Sequence, residues 1–244
     1  MTDHASSGQT DRGLECSPQT SAYRALMARI DRAARQAGRL GADIRLLAVS
    51  KGQPAAAIEA LCRLGQRDFG ESYLQEALPK IARFGDKGLV WHFIGPMQTN
   101  KCRDIAAHFD WIHSLDRAAH ADRLDRRRPA HLPPLQVCLQ VKLSLEPRKS
   151  GVDPDQLLTL ARHVDGLPRL RLRGLMAIPE ASQDPAVQRA AYARLMALFC
   201  ALRAAGHDLD TLSMGMSDDL EAAILEGSTL IRVGRALFGG REIG

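Results

Sequence analysis

The stretch LLAVSKGQP, residues 46–54, runs through four apolar residues and then sets a lysine between a serine and a glycine. An apolar run this short, closed by Gly52 and Pro54, reads as a buried strand entering a turn. An amphipathic run at 55–64 follows, so the local unit is strand, turn, helix. That unit recurs. Short apolar runs fall at 44–49, 67–70, 89–94, 111–114, 135–143, 171–178, 211–214 and 230–233. Helical periodicity fills 55–64, 72–84, 100–108, 117–127, 154–164, 185–205 and 218–226, and one additional helix at 22–37 precedes the first strand.

Strands alternating with helices imply right-handed crossovers and a parallel sheet, and eight units in roughly 200 residues specify a (β/α)₈ barrel. The expected fold is therefore α/β, a single (β/α)₈ TIM barrel with an extra N-terminal helix. A doubly wound open sheet would carry a GxGxxG turn after its first strand, where this chain has SKGQP. No long linker or low-complexity segment divides the chain, so 21–244 reads as one domain, and the small, polar residues 1–20 read as a disordered leader.

Composition narrows the function classes. No apolar run approaches the roughly 20 residues of a membrane helix, and the leader lacks the basic start and apolar stretch of a secretory signal. The five cysteines are scattered, odd in number and never in a CxxC pair, which argues against a disulfide framework and a zinc site and for a reducing cytoplasm. The eight histidines form no HxxxH or HxH set, so no metal is expected. The net charge of +5 comes mainly from arginines spread over helical segments. The one cluster, Arg126, Arg127 and Arg128, reads as a solvated helix end, and the 5% of aromatic residues are not interleaved with basic ones as a nucleic-acid platform requires.

In such a barrel the active site is built at the C-terminal ends of the strands. A lysine there can simply snorkel to water. Lys51 has another option: partial desolvation disfavours its ammonium, and a neutral primary amine can form a Schiff base with an aldehyde. The strand ends opposite suggest which aldehyde. In IRVGRALFGG, residues 231–240, Gly234 permits close backbone approach, and N–H groups from Arg235 onward open a helical turn toward an anion. In SMGMSDDLEAAI, residues 213–224, Ser213 and Ser217 offer hydroxyls, while Ser217, Asp218 and Asp219 read as a helix N-cap. Barrel phosphate sites favour the loops after strands seven and eight. A reactive lysine facing a phosphate cradle points to pyridoxal 5′-phosphate (PLP).

The strings LLAVSKGQP, DFGESYLQE, WHFIGPMQTNK, IHSLDR, EPRKSGV, GLMAIPE and LSMGMSDDLEAAILEGSTLIRVGRALFGGRE, in this order over residues 22–242, closely resemble the YggS/PROSC family of pyridoxal phosphate homeostasis proteins. The resemblance implies a barrel like the N-terminal domain of alanine racemase. It places the cofactor lysine at Lys51, the phosphate segments at Ser213 to Ser217 and at Gly234 with Arg235, and the guanidinium of Arg232 toward the pyridine nitrogen. A permanently charged guanidinium disfavours a protonated ring nitrogen, which makes the ring a poor electron sink and weakens carbanion chemistry. Two positions depart from the family pattern: Ser72 and Lys142 stand where asparagine is usual. Lys142 brings a second amine, which would help bind phosphate or depress the Lys51 pKa. His92 is expected to be a satisfied core histidine, while Glu71 and Gln98 stay open between core and cofactor.

A racemase of this barrel type needs a second base, a tyrosine delivered with a second β domain. Tyr23, Tyr73 and Tyr192 fall in helical patterns and the chain stops some eleven residues past its eighth strand, so no second domain is expected. The reading is a monomeric cytoplasmic PLP carrier without turnover, serving apo PLP-dependent enzymes and binding neither membrane nor nucleic acid. The contrasting reading is a small fold-type III racemase whose second base is water or Cys138, a residue otherwise read as a small buried hydrophobe.

Overall fold

The computed structural model describes residues 18–85, 87–143 and 150–239. All eight expected strands form: β1 (Arg45–Val49), β2 (Asp68–Glu71), β3 (Val90–Phe93), β4 (Trp111–Leu115), β5 (Leu135–Gln140), β6 (Leu170–Met176), β7 (Thr211–Ser213) and β8 (Leu230–Val233). They pair in chain order, all parallel, and the pairing of β1 with β8 through Leu47 and Arg232 closes the barrel.

The helices are α1 (Pro18–Gln36), α2 (Ala55–Arg63), α3 (Leu74–Phe84), α4 (Cys102–His108), α5 (Ala118–Arg127), α6 (Leu157–Asp165), α7 (Pro185–Ala204), α8 (Leu220–Leu225) and the short α9 (Arg235–Phe238). Helix α1 includes Pro18, before the expected boundary, so Pro18 to Thr20 are helical. Residues 1–17, the rest of that expected leader, lie outside the described residues.

Each strand buries two faces. Toward the helices, Leu46, Ala48, Phe69, Phe93, Ile112, Val137, Leu139, Leu212, Ile231 and Val233 join one continuous apolar core with the inner stripes of the helices. Each fully buried large side chain of this kind contributes roughly 1.5–3 kcal/mol. The other face fills the lumen. There Trp111, Cys138 and Met176 form a small separate cluster, and His92 stacks on Trp111 with ring centroids 5.4 Å apart.

Two local expectations are corrected. Strand β5 ends at Gln140, short of the expected 143: the Val141 N–H still donates to the Met176 carbonyl of β6, but Val141 bridges to Val152 and the Lys142 N–H donates to the Val152 carbonyl, so pairing passes to the segment before α6. The quoted string EPRKSGV falls mostly at 144–149, outside the described residues. Arg128 is not solvated: it is 3% exposed, and its guanidinium donates to the carbonyls of Pro133, Ala106 and Phe109 at 2.7–2.8 Å. It therefore fastens the end of α4 to the segment entering β5.

Candidate functional site

Lys51 is half-buried on the turn that follows β1, and its neighbours on both sides are fixed by α3 and β2. Ser50 is fully buried; its hydroxyl donates to Glu71 Oε1 at 2.7 Å, and its carbonyl accepts from Lys80 Nζ at 2.8 Å. Lys80 also meets Glu71 at 2.8 Å. On the other side the Gly52 N–H donates to Glu76 Oε2 at 2.8 Å, with Gly52 at φ 73°, a conformation in which a Cβ is strained. Glu71, Glu76 and Lys80 thus clamp the backbone before and after Lys51. Burial raises the Glu71 carboxyl pKa despite Lys80 and Ser50, and its Oε2 is buried with no hydrogen-bond partner. Glu71, left open by sequence, belongs to the support of the lysine turn.

Gly234 lies beside the same turn. The β1–β8 pairing brings it against Val49, whose carbonyl oxygen is 3.4 Å from where a Cβ would stand. From Gly234 the chain enters α9, and Ser217 Oγ accepts from the Ala236 N–H at 3.4 Å, joining the loops after β7 and β8. Arg235 is exposed and paired with Asp218. The expected capping by Asp218 and Asp219 is corrected: Asp219 stands at the N-cap of α8 but makes no side-chain cap, accepting instead from the Met216 N–H at 2.6 Å and the Tyr192 hydroxyl at 2.7 Å. That carboxylate holds the β7 loop to α7. Gly215, at φ 95° and with Ala223 Cβ 2.6 Å from its absent side chain, lets the loop lie flat on α8.

Arg232 points into the lumen and is 5% exposed. Its Nη1 donates to the Ser213 carbonyl at 2.6 Å and to Ser213 Oγ at 2.8 Å, and its Nη2 donates to the Ala177 carbonyl at 3.0 Å. The Ser213 hydroxyl is therefore turned inward to Arg232, away from Ser217, with which sequence had grouped it. His92 is fully buried with both ring nitrogens engaged. Cys138 is fully buried, and burial pushes its thiol up to about 12, which suits a small hydrophobe and not a base. Lys142 lies 4.0 Å from the Asp153 carboxylate, Ser72 is buried, and Gln98 is exposed.

Sequence reasoning passed over Arg45, Asp68, His113, Lys80 and Glu76. A signal existed for the first three: polar residues at alternate positions of otherwise apolar strands, which the period of two turns to one face.

The fold and the strand-end lysine define the class. The sequence profile described as alanine racemase, N-terminal domain, matches residues 22–242, which span every strand. The pyridoxal phosphate homeostasis protein of Pseudomonas aeruginosa is 59% identical over 217 residues, covering 89% of this chain and 93% of that one. That of Escherichia coli K12 is 52% identical over 218 residues, covering 88% and 93%. Among solved structures, PipY of Synechococcus elongatus, with PLP bound, is 41% identical at a TM-score of 0.76, covering 86% of this chain and 100% of that one. The chain belongs to the pyridoxal phosphate homeostasis family, within the alanine racemase N-terminal barrels.

Proposed function

We propose that this protein holds PLP covalently on Lys51 and buffers or delivers it for intracellular PLP homeostasis. The observation that carries the reading is the closure of the barrel by β1 and β8, which sets the clamped Lys51 turn beside Gly234 with Arg232 buried below. The residues fit the group: a half-buried amine for the aldehyde, a guanidinium for the ring nitrogen, and Ser217, Gly234 and Arg235 for the phosphate. PLP supplies an aldehyde carbon that condenses with a primary amine and releases water. Lys51 would supply that amine; Arg232 would face the ring nitrogen as a donor that never deprotonates, which keeps the nitrogen bare. Ser213 is assigned to orienting Arg232, since its hydroxyl is committed there.

The same reading makes the protein a carrier and not an enzyme. Tyr192 is locked to Asp219 and the buried Cys138 thiol holds its proton far above neutrality, so neither is available as a second base, while Tyr73, expected inside a helix, is the exposed N-cap of α3 just past β2. Free, mostly sheltered cysteines support the cytoplasm, and among the described residues no helix is long and apolar enough to cross a membrane. Apo PLP-dependent enzymes are the proposed recipients, and a monomer the proposed state. We further propose residues 21–244 as the PLP-binding unit.

Borohydride reduction after incubation with PLP, followed by peptide mass mapping, tests the reading. The expected result is a reduced phosphopyridoxyl adduct on Lys51 that Lys51→Ala abolishes. An unmodified Lys51, or an adduct chiefly on Lys142, would overturn it.

A further inference from the structure

Below Arg232, side chains from β7, β4, β3 and β2 lie end to end through the lumen. Ser213 Oγ is 2.7 Å from His113 Nδ1, His113 Nε2 is 2.9 Å from His92 Nδ1, and His92 Nε2 is 2.9 Å from Asp68 Oδ1. Arg45, at the start of β1, pairs with the same Asp68 oxygen. Since β4 and β7 are not neighbours in the sheet, the His113 to Ser213 contact crosses the barrel. The series begins at the guanidinium near the strand ends and finishes at a carboxylate on the first residue of β2, at the opposite rim.

The Asp68 end fixes the direction of every hydrogen bond. An ionised carboxylate only accepts, so the His92 proton is on Nε2 and is donated to Asp68, and the His113 proton is on its own Nε2 and is donated to His92 Nδ1. The Ser213 proton then goes to His113 Nδ1, while Ser213 Oγ accepts from Arg232. Reversing the run would set a bare His92 nitrogen against the Asp68 carboxylate and leave the Ser213 proton without this acceptor. Burial lowers the proton affinity of both rings, which keeps them neutral. The Asp68 carboxyl is raised by burial, but the His92 hydrogen bond and the nearby positive charge of Arg45 outweigh that and hold it ionised.

We propose that Ser213, His113, His92 and Asp68 are positioning residues that hold Arg232 at the cofactor ring through a one-directional hydrogen-bond chain running the length of the barrel. The need is physical. Among the described residues the hydrogen-bond acceptors of the buried Arg232 are all neutral, two carbonyls and a hydroxyl, so the guanidinium is held more firmly when the hydroxyl is itself oriented. His113 orients it by taking the serine proton, which leaves an Oγ lone pair for Arg232. His92 and Asp68 polarise His113 in the same sense. The proposal rests on the PLP reading for what Arg232 faces; the chain itself does not.

The test starts on the unloaded protein. Long-range proton–nitrogen-15 NMR of the imidazoles should find both His92 and His113 neutral, protonated at Nε2, and Ser213→Ala should shift His113 Nδ1. An Nδ1–H tautomer or a cationic ring at either position overturns the chain. The loaded protein is then prepared with PLP carrying nitrogen-15 in its ring. His113→Leu, which removes the serine's acceptor, should displace the ring-nitrogen resonance and weaken PLP retention about tenfold, the effect of one hydrogen bond to a charged group. His113→Asn, whose Oδ1 stands where Nδ1 was, should restore the wild-type resonance, and Ser213→Ala serves in place of His113→Leu should that variant not fold. An unchanged resonance in all variants overturns the positioning role while the Lys51 adduct persists. Absence of the adduct in wild-type protein overturns the cofactor reading, and the role at the ring with it, leaving the tautomers to decide the chain.

Discussion

The Glu71 carboxylate and the Lys80 ammonium meet at 2.8 Å directly beneath Ser50, and both also bind Ser50, the residue before Lys51. Glu71 is fully buried, so its charge has no aqueous alternative to Lys80. Removing the partner is therefore worse than removing the charge. Lys80→Met should cost about 3–5 kcal/mol in urea unfolding at neutral pH, because it strands a buried carboxylate. Glu71→Gln should cost less, since the amide keeps the Ser50 contact uncharged.

The same pair sets a pH signature. Burial raises the Glu71 pKa in the folded state, so its contribution is full below the ordinary carboxylate value and is lost as pH rises from there through the raised folded value. Glu71→Gln should flatten stability against pH across that window. An identical pH profile in wild type and variant would remove Glu71 from the account.

His113 predicts the opposite slope. Burial holds its folded pKa well below the ordinary imidazole value, so the unfolded chain takes up a proton that the folded ring refuses. Stability is full above the ordinary value and declines as pH falls below it, at about 1.4 kcal/mol per pH unit for one proton. His92 and His120 are lowered in the same direction, so His113→Asn should make the decline shallower by one proton without abolishing it. Denaturant midpoints taken stepwise below neutrality check this.

The order of strands and helices was legible in the sequence because each element is set by its own periodicity and its own turn residues. Every expected strand formed, and Lys51 was placed by the strand that precedes it. Arg128 was misread because its three acceptors are backbone carbonyls from other elements, which no sequence pattern displays. The partners of Ser213 were out of reach for a related reason: sequence grouped its hydroxyl with Ser217 by loop position, whereas strand register turns it into the lumen toward Arg232 and His113. Contacts across the barrel depend on closure, and closure is written in no single segment.

Arg128 gives a direct check of that point. Arg128→Ala should lower stability by on the order of 3 kcal/mol, since buried carbonyls lose a charged donor. Its effect should be nearly the same at low and high salt, because the lost bonds are buried and go to neutral oxygens. A strong salt dependence, or a variant as stable as wild type, would restore the solvated reading.

The choice between carrier and racemase turns on whether a second proton-transfer group stands near Lys51. Cys138 was the candidate, and it is fully buried with its thiol pushed up to about 12, so at neutral pH the thiolate needed to take a proton is absent. Loaded protein in heavy water with L-alanine should accordingly exchange no α-hydrogen above the rate of free PLP, and Cys138→Ala should change neither that rate nor the Lys51 adduct. A thiol reagent should leave Cys138 untouched in the folded protein while labelling the exposed Cys200. Rapid exchange that required Lys51 would overturn the carrier reading. If that exchange survived Cys138→Ala, the second proton carrier would be water admitted at the strand ends.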